Sequence, residues 1–185
     1  MPRMRRWFRQ HAANLLTGLR VVATPVLVTG AWYAPVSRIG AACAVVAFVT
    51  AAASDVWDGR VARRFARESD AGRAFDHFAD IGFLLVSLST YVALGVAPWW
   101  VPASVFAAFA FYVADSRRQT SAAPNLVSSR IGHIGGVCNY VLVGVLVFNN
   151  SVGLQLLPPW FLLALFCLVP VYSFAGMAAR LTSRN

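Results

Sequence analysis

Residues 55–80 read DVWDGRVARRFARESDAGRAFDHFAD, and they hold six of the chain's seven acidic side chains together with five arginines. Asp55 and Asp58 are three positions apart, and Asp76 and Asp80 four. On helices, either spacing puts the two side chains on one face. What flanks this stretch decides the fold. No charged side chain occurs between Ile81 and Ala114, or between Ile131 and Ala179, and both runs exceed the ~20 apolar residues that cross a bilayer. Over the 185 residues, 58% are hydrophobic and 12% charged, with a mean hydropathy of +0.62. A soluble domain would carry about 25% charged residues. An ordinary soluble enzyme, a disordered tail and a small disulfide scaffold are excluded. The expectation is an all-α, polytopic integral membrane protein, a six-transmembrane-helix bundle forming a single domain over residues 1–185.

Six apolar segments carry that expectation: residues 15–34, 40–54, 75–96, 99–114, 131–148 and 156–179. The second is short for a span unless its helix continues through Asp55. Pro98, Pro102, Pro158 and Pro159 fall at expected turns, where a missing N–H is tolerated. Trp99, Trp100 and Trp160 fall at segment ends, as interfacial anchors do. Arginines crowd the loops on one side. Arg3, Arg5, Arg6 and Arg9 precede the first segment, and Arg60, Arg63, Arg64, Arg67 and Arg73 follow the second. Arg117, Arg118 and Arg130 follow the fourth, Arg180 and Arg184 follow the sixth, and only Arg38 lies in an opposite loop. The positive-inside rule then puts both termini in the cytoplasm, in a bacterial inner membrane. Residues 1–13, with Trp7 and Phe8 among four arginines, suit a cytoplasmic amphipathic helix on anionic lipid, although the same charges serve equally as a topology signal.

All 16 basic residues are arginine and the formal net charge is +9. That charge is spread over short loops rather than gathered on one soluble face, so nucleic acid is not an expected partner. Cys43, Cys138 and Cys167 lie in apolar runs without metal-ligand spacing and read as small buried hydrophobes. No small-residue cleavage site closes the first apolar stretch, so a removable signal peptide is not expected.

The chemistry lies in the acidic pairs. If the second and third segments pack antiparallel, Asp55, Asp58, Asp76 and Asp80 converge at the cytoplasmic end of the bundle. Four carboxylates that close repel one another unless divalent cations neutralise them. An all-oxygen donor set suits Mg²⁺ or Mn²⁺ rather than Zn²⁺, and a two-metal site is the usual device for displacement at a phosphoryl group. Gly59, Ala62 and Gly72 are small enough to let a ligand approach the backbone, and Arg63 lies about one turn beyond Gly59, where it could reach a phosphate. The competing reading pairs these acids with the intervening arginines on a solvated loop.

The arrangement Asp55-x-x-Asp58-Gly59-x-x-Ala62-Arg63, eight residues, Gly72, three residues, Asp76, three residues, Asp80 resembles the complete signature of the CDP-alcohol phosphatidyltransferases. In addition, Asn14-Leu15-Leu16-Thr17-Gly18-Leu19-Arg20 is similar to the Pro-Asn-x-Leu-Thr-x-x-Arg stretch of the family's phosphatidylglycerophosphate synthase branch, with Ala13 in place of the Pro. The resemblance implies transfer of a phosphatidyl group from CDP-diacylglycerol to an alcohol, with release of CMP. It implies two divalent ions on Asp55, Asp58, Asp76 and Asp80, with Asp80 also the base toward the acceptor hydroxyl. It implies a cytidine-diphosphate site at Gly59, Ala62 and Gly72, Arg63 near the donor phosphates, and a homodimer.

The acceptor is expected to be a phosphorylated polyol such as glycerol 3-phosphate, with inositol phosphate, serine, choline or a lipid as alternatives. Arg118, Arg130 and His133, with Arg117 beside them, are the candidate acceptor-binding groups, His133 standing where glycerophosphate-type synthases have Lys. Ile81 after Asp80 and His77 after Asp76 depart from those synthases. His77 is expected to turn away from the carboxylate face and to be structural. Outside the family, an intramembrane prenyltransferase would also use Asp-rich helices, but it leaves the Gly, Ala and Arg between the pairs unexplained. A divalent-cation transporter would need acids along a path, whereas these cluster at one face.

Overall fold

The computed structural model describes residues 2–65, 70–119, 130–151 and 157–182, with side chains described for 17–57, 75–115, 134–151, 157–179 and 181. Among the described residues the chain is all helical: α1 Pro2–Tyr33, α2 Arg38–Phe65, α3 Asp70–Ala93, α4 Trp100–Gln119, α5 Arg130–Ser151 and α6 Pro159–Thr182. Three of these contain a stretch long and apolar enough to cross a membrane: Arg38–Trp57, Ile134–Ser151 and Pro159–Ala179, with mean hydropathies of 1.9, 1.4 and 2.1. The apolar part of α4, Trp100–Asp115, is shorter. The apolar runs of α1 and α3 are interrupted by Arg20 and by Asp76 and Asp80, the charged groups that make the site. As its length required, α2 continues through Asp55 to Phe65.

Residues 2–13 do not form a helix of their own; α1 runs unbroken from Pro2 through Pro25 to Tyr33. Of the prolines expected at turns, Pro98 and Pro158 precede helices and Pro159 opens α6. Pro102 instead lies in the first turn of α4, where its missing N–H has no intrahelical partner to lose. Gly95, at φ +72°, makes the left-handed turn after α3.

Packing corrects one expectation directly. Among the described residues α2 and α3 make little contact with each other; α1 packs against both, and α5 closes the other side against α2, α3 and α6. The α1–α2 crossing is close because it is built from glycine and alanine. A Cβ on Gly30 would stand 2.6 Å from the Ala44 nitrogen, and one on Gly40 would stand 2.7 Å from the Tyr33 Cβ. Such small-residue seams bring helices together where lipid supplies no hydrophobic drive between them. Gly144 of α5 likewise faces the Phe48 ring, 2.7 Å from its would-be Cβ. Gly135 makes only ordinary contact with Tyr172, and Gly136 meets nothing within 4 Å, so it does not serve helix approach. The cysteines are unpaired, and they are not the buried hydrophobes expected: Cys167 is exposed and the other two are half-buried.

Each of the first three helices buries one stripe at 3–4 residue spacing: Thr17, Arg20, Ala23, Leu27 and Ala31 on α1; Gly40, Ala44, Ala47, Ala51 and Ser54 on α2; Phe83, Leu84, Ser87 and Tyr91 on α3. The stripes are apolar through the bundle centre and polar at one end. Asp55 continues the second stripe, and Asp80 and Asp76 continue the third. The opposite end carries the exposed aromatics Trp32, Tyr33, Trp99, Trp100 and Trp160.

Candidate active site

Three of the four motif carboxylates meet on a side chain to which the spacing argument assigned no part. Arg20 is fully buried, with no exposed surface. Its guanidinium ion-pairs with Asp80 Oδ1, lies 3.2 Å from Asp76 Oδ1 and 3.9 Å from Asp55 Oδ1, and its Nε donates to Ser54 Oγ at 3.2 Å. Thr17 Oγ1 donates to the same Asp76 oxygen at 3.0 Å. Ser54 in turn donates to the Ala51 carbonyl at 2.8 Å, which fixes its hydroxyl with the lone pair toward Arg20. The forked, permanently charged guanidinium is the side chain suited to several carboxylates at once.

The helices explain this placement. One turn of α1 separates Thr17 from Arg20, so both face α3, and the Gly30–Ala44 crossing holds α1 near enough to α2 for Arg20 to reach Ser54 and Asp55. Exposure rises outward across the cluster: Asp80 19%, Asp76 34%, Asp55 41%. The acids open toward the end of the bundle while the cation lies beneath them. One guanidinium facing three carboxylates leaves the cluster net anionic, and its donor atoms are all oxygen, the set that hard divalent cations take. Among the described residues no three acidic, His or Cys side chains are spaced to hold an ion by themselves; the carboxylates are gathered round Arg20 rather than round a common point. The donor chemistry therefore fits Mg²⁺ or Mn²⁺, and Arg20 stands among the same oxygens.

Asp58, Gly59, Ala62 and Arg63 lie on α2, Gly72 on α3, Arg117 and Arg118 on α4, and Arg130 and His133 in the opening turn of α5; their side chains lie outside the described residues. The His77 ring faces α4. It is exposed, and its ring centre lies 5.5 Å from that of Tyr112 and 6.1 Å from that of Phe109. Phe78 meets Phe109 edge-on at 5.5 Å, so an aromatic wall joins α3 to α4 beside the site. An open apolar groove of about 360 Å³ between α1 and α3, lined by Val28, Trp32, Leu85, Val86, Ser89, Thr90 and Ala93, lies toward the opposite end and takes no part in the cluster.

The sequence profile of the CDP-alcohol phosphatidyltransferases matches residues 10–175. The chain belongs to the CDP-alcohol phosphatidyltransferase family. It is 32% identical over 134 residues to a Yersinia pestis "CDP-diacylglycerol--glycerol-3-phosphate 3-phosphatidyltransferase", covering 71% of this chain and 72% of that one. A Yersinia enterocolitica protein of the same name aligns with the same identity and coverage. A Mycobacterium tuberculosis "Probable phosphatidylglycerophosphate synthase" is 38% identical over 93 residues, which is 48% of this chain and 43% of its relative; the alignment thus spans less than half of that protein's length. The family is one of membrane enzymes that use divalent metals. In this member of the family, Thr17, Arg20 and Ser54 are the residues of the cluster that carboxylate spacing missed. A signal for Arg20 was present in the sequence: it is the one arginine inside an apolar segment, and a charge there calls for a partner.

Proposed function

We propose that the protein transfers the phosphatidyl group of CDP-diacylglycerol to glycerol 3-phosphate, or a closely similar phosphorylated polyol, and releases CMP. The convergence of Asp55, Asp76 and Asp80 at one end of the helix bundle carries this reading, and the names of the Yersinia and Mycobacterium relatives support the acceptor. Two divalent ions, Mg²⁺ or Mn²⁺, on Asp55, Asp58, Asp76 and Asp80 would supply the positive charge that a phosphoryl displacement needs. Gly59, Ala62 and Gly72 leave room along the backbone for the cytidine diphosphate, and Arg63 holds the donor phosphates. The Asp80 carboxylate takes the proton of the acceptor hydroxyl, while Arg118, Arg130 and His133 bind the acceptor phosphate. The six helices span the membrane, with both termini and the site on the cytoplasmic side, the basic residues 1–13 at the start of α1 meeting anionic lipid head groups, and the protein working as a homodimer.

The test is CMP release by purified protein given CDP-diacylglycerol, Mg²⁺ or Mn²⁺, and one acceptor at a time: glycerol 3-phosphate, inositol phosphate, serine, choline or phosphatidylglycerol. Release with glycerol 3-phosphate alone supports the reading. Release with a different acceptor keeps the chemistry and corrects the substrate, the result that the departures at His77 and Ile81 would then explain. Silence from protein that binds no CDP-lipid would overturn the reading.

A further inference from the structure

We infer that Arg20 is a built-in counter-cation of the carboxylate cluster and that it competes with divalent metal for Asp55, Asp76 and Asp80, so that it lowers metal affinity while keeping the cluster stable without metal. The inference rests on the metal reading of the preceding section. Four observations carry it. The guanidinium is fully buried, so no water screens it. It takes Oδ1 of Asp76 and Oδ1 of Asp80, the kind of atoms a metal ion would need. Among the described residues no three acidic, His or Cys side chains are grouped to hold an ion, whereas three carboxylates meet on Arg20. Its Nε is anchored on Ser54 Oγ and Thr17 helps to hold Asp76, so the arrangement is a built network rather than a passing contact.

The physics gives opposite signs for the two consequences. Without a cation, three close carboxylates repel one another and are costly to hold in a bundle. With a divalent ion present, a fixed positive charge 3.2 Å from Asp76 Oδ1 and 3.9 Å from Asp55 Oδ1 opposes it. A residue that merely holds the helices together would alter stability equally with and without metal. Arg20 should not: it should matter most when metal is absent, and its loss should improve metal binding. Such a site takes up metal readily only when an anionic ligand arrives to share the added charge, and the donor diphosphate is such a ligand.

The test uses full-length protein in detergent, with Arg20→Met and Arg20→Lys, titrated with Mn²⁺ and followed by the spin-resonance signal of the free ion. Thermal midpoints are read in EDTA and in saturating Mn²⁺. Arg20→Met should bind Mn²⁺ at least about tenfold more tightly than wild type. Its midpoint should fall in EDTA by clearly more than in Mn²⁺, and Arg20→Lys, which keeps the charge, should bind Mn²⁺ within about threefold of wild type. Adding Asp76→Asn to Arg20→Met should restore part of the EDTA midpoint, because it removes one unbalanced carboxylate. If Arg20→Met does not fold, the comparison is made between Asp76→Asn and the double variant, and the double variant should bind Mn²⁺ more tightly. Unchanged or weaker Mn²⁺ binding without Arg20, or equal loss of stability in both conditions, overturns the inference alone. A flat Mn²⁺ titration of both wild type and Arg20→Met overturns the metal reading and this inference with it.

Discussion

At Arg20 a single side chain ties together residues 54, 55, 76 and 80, drawn from two helices that barely touch each other. The energetics of such a buried pairing are asymmetric: removing one partner strands the other charge, a loss of about 3–5 kcal/mol. The carboxylates are more exposed than Arg20, so losing one of them should cost less stability than losing the arginine. Asp76→Asn keeps the volume and can still accept from Thr17. It should therefore stay folded, with a thermal midpoint close to wild type, while turnover falls at least about 100-fold; wild-type-like CMP release from the folded variant would remove Asp76 from the metal set. Arg130→Ala tests the acceptor side. It should raise KM for the acceptor several-fold more than KM for CDP-diacylglycerol, measured by varying each substrate in turn, and an effect on the donor alone would move Arg130 to the other half of the site.

At the scale of the helix, the distance between α1 and α2 decides whether Arg20 reaches Ser54 and Asp55. That distance is set about three to four turns away, where Gly30 lies on the Ala44 backbone and Gly40 on Tyr33. Backbone cannot yield as a flexible side chain would. Gly30→Leu should thus force the helices apart, cost about 1–3 kcal/mol, and depress turnover although residue 30 touches no substrate. Gly136→Ala is the control: its Cβ meets nothing within 4 Å, so it should leave the unfolding midpoint unchanged or raise it slightly, by the usual helix preference for Ala over Gly. Unfolding in detergent, followed with CMP release on both variants, separates the two. The buried Asn139, which accepts from the Tyr172 hydroxyl, fastens α5 to α6 in the same way, by a polar contact in an otherwise apolar seam.

For the whole molecule, charge and aromatic placement give the two ends of the bundle different characters, one ionic, the other ringed by tryptophan. In a background lacking Cys43, Cys138 and Cys167, a cysteine at Val36, which is 84% exposed in the α1–α2 turn, should react in intact cells with a membrane-impermeant maleimide. A cysteine at Gln119 should react only after the membrane is opened; the reverse pattern would invert the topology. EDTA should abolish CMP release and either Mg²⁺ or Mn²⁺ should restore it, read in the same assay. Much of this was legible in the residues alone, because it depends on local order. Apolar runs foretold all six helices, and the four-residue spacing put Asp76 and Asp80 on the face that meets Arg20, since the 3.6-residue period acts wherever a helix forms. The continuation of α2 through Asp55 was an open alternative that the helix settled. Neighbourhood was not legible in this way. That α1 rather than α3 lies against α2, and that Arg20 is the side chain on which the acids of residues 55, 76 and 80 meet, follows from a glycine–alanine crossing and a choice among helix pairings. Those pairings are fixed by contacts between residues on different helices, from Gly30 on Ala44 to Arg20 on Asp80, and no period within one helix encodes them.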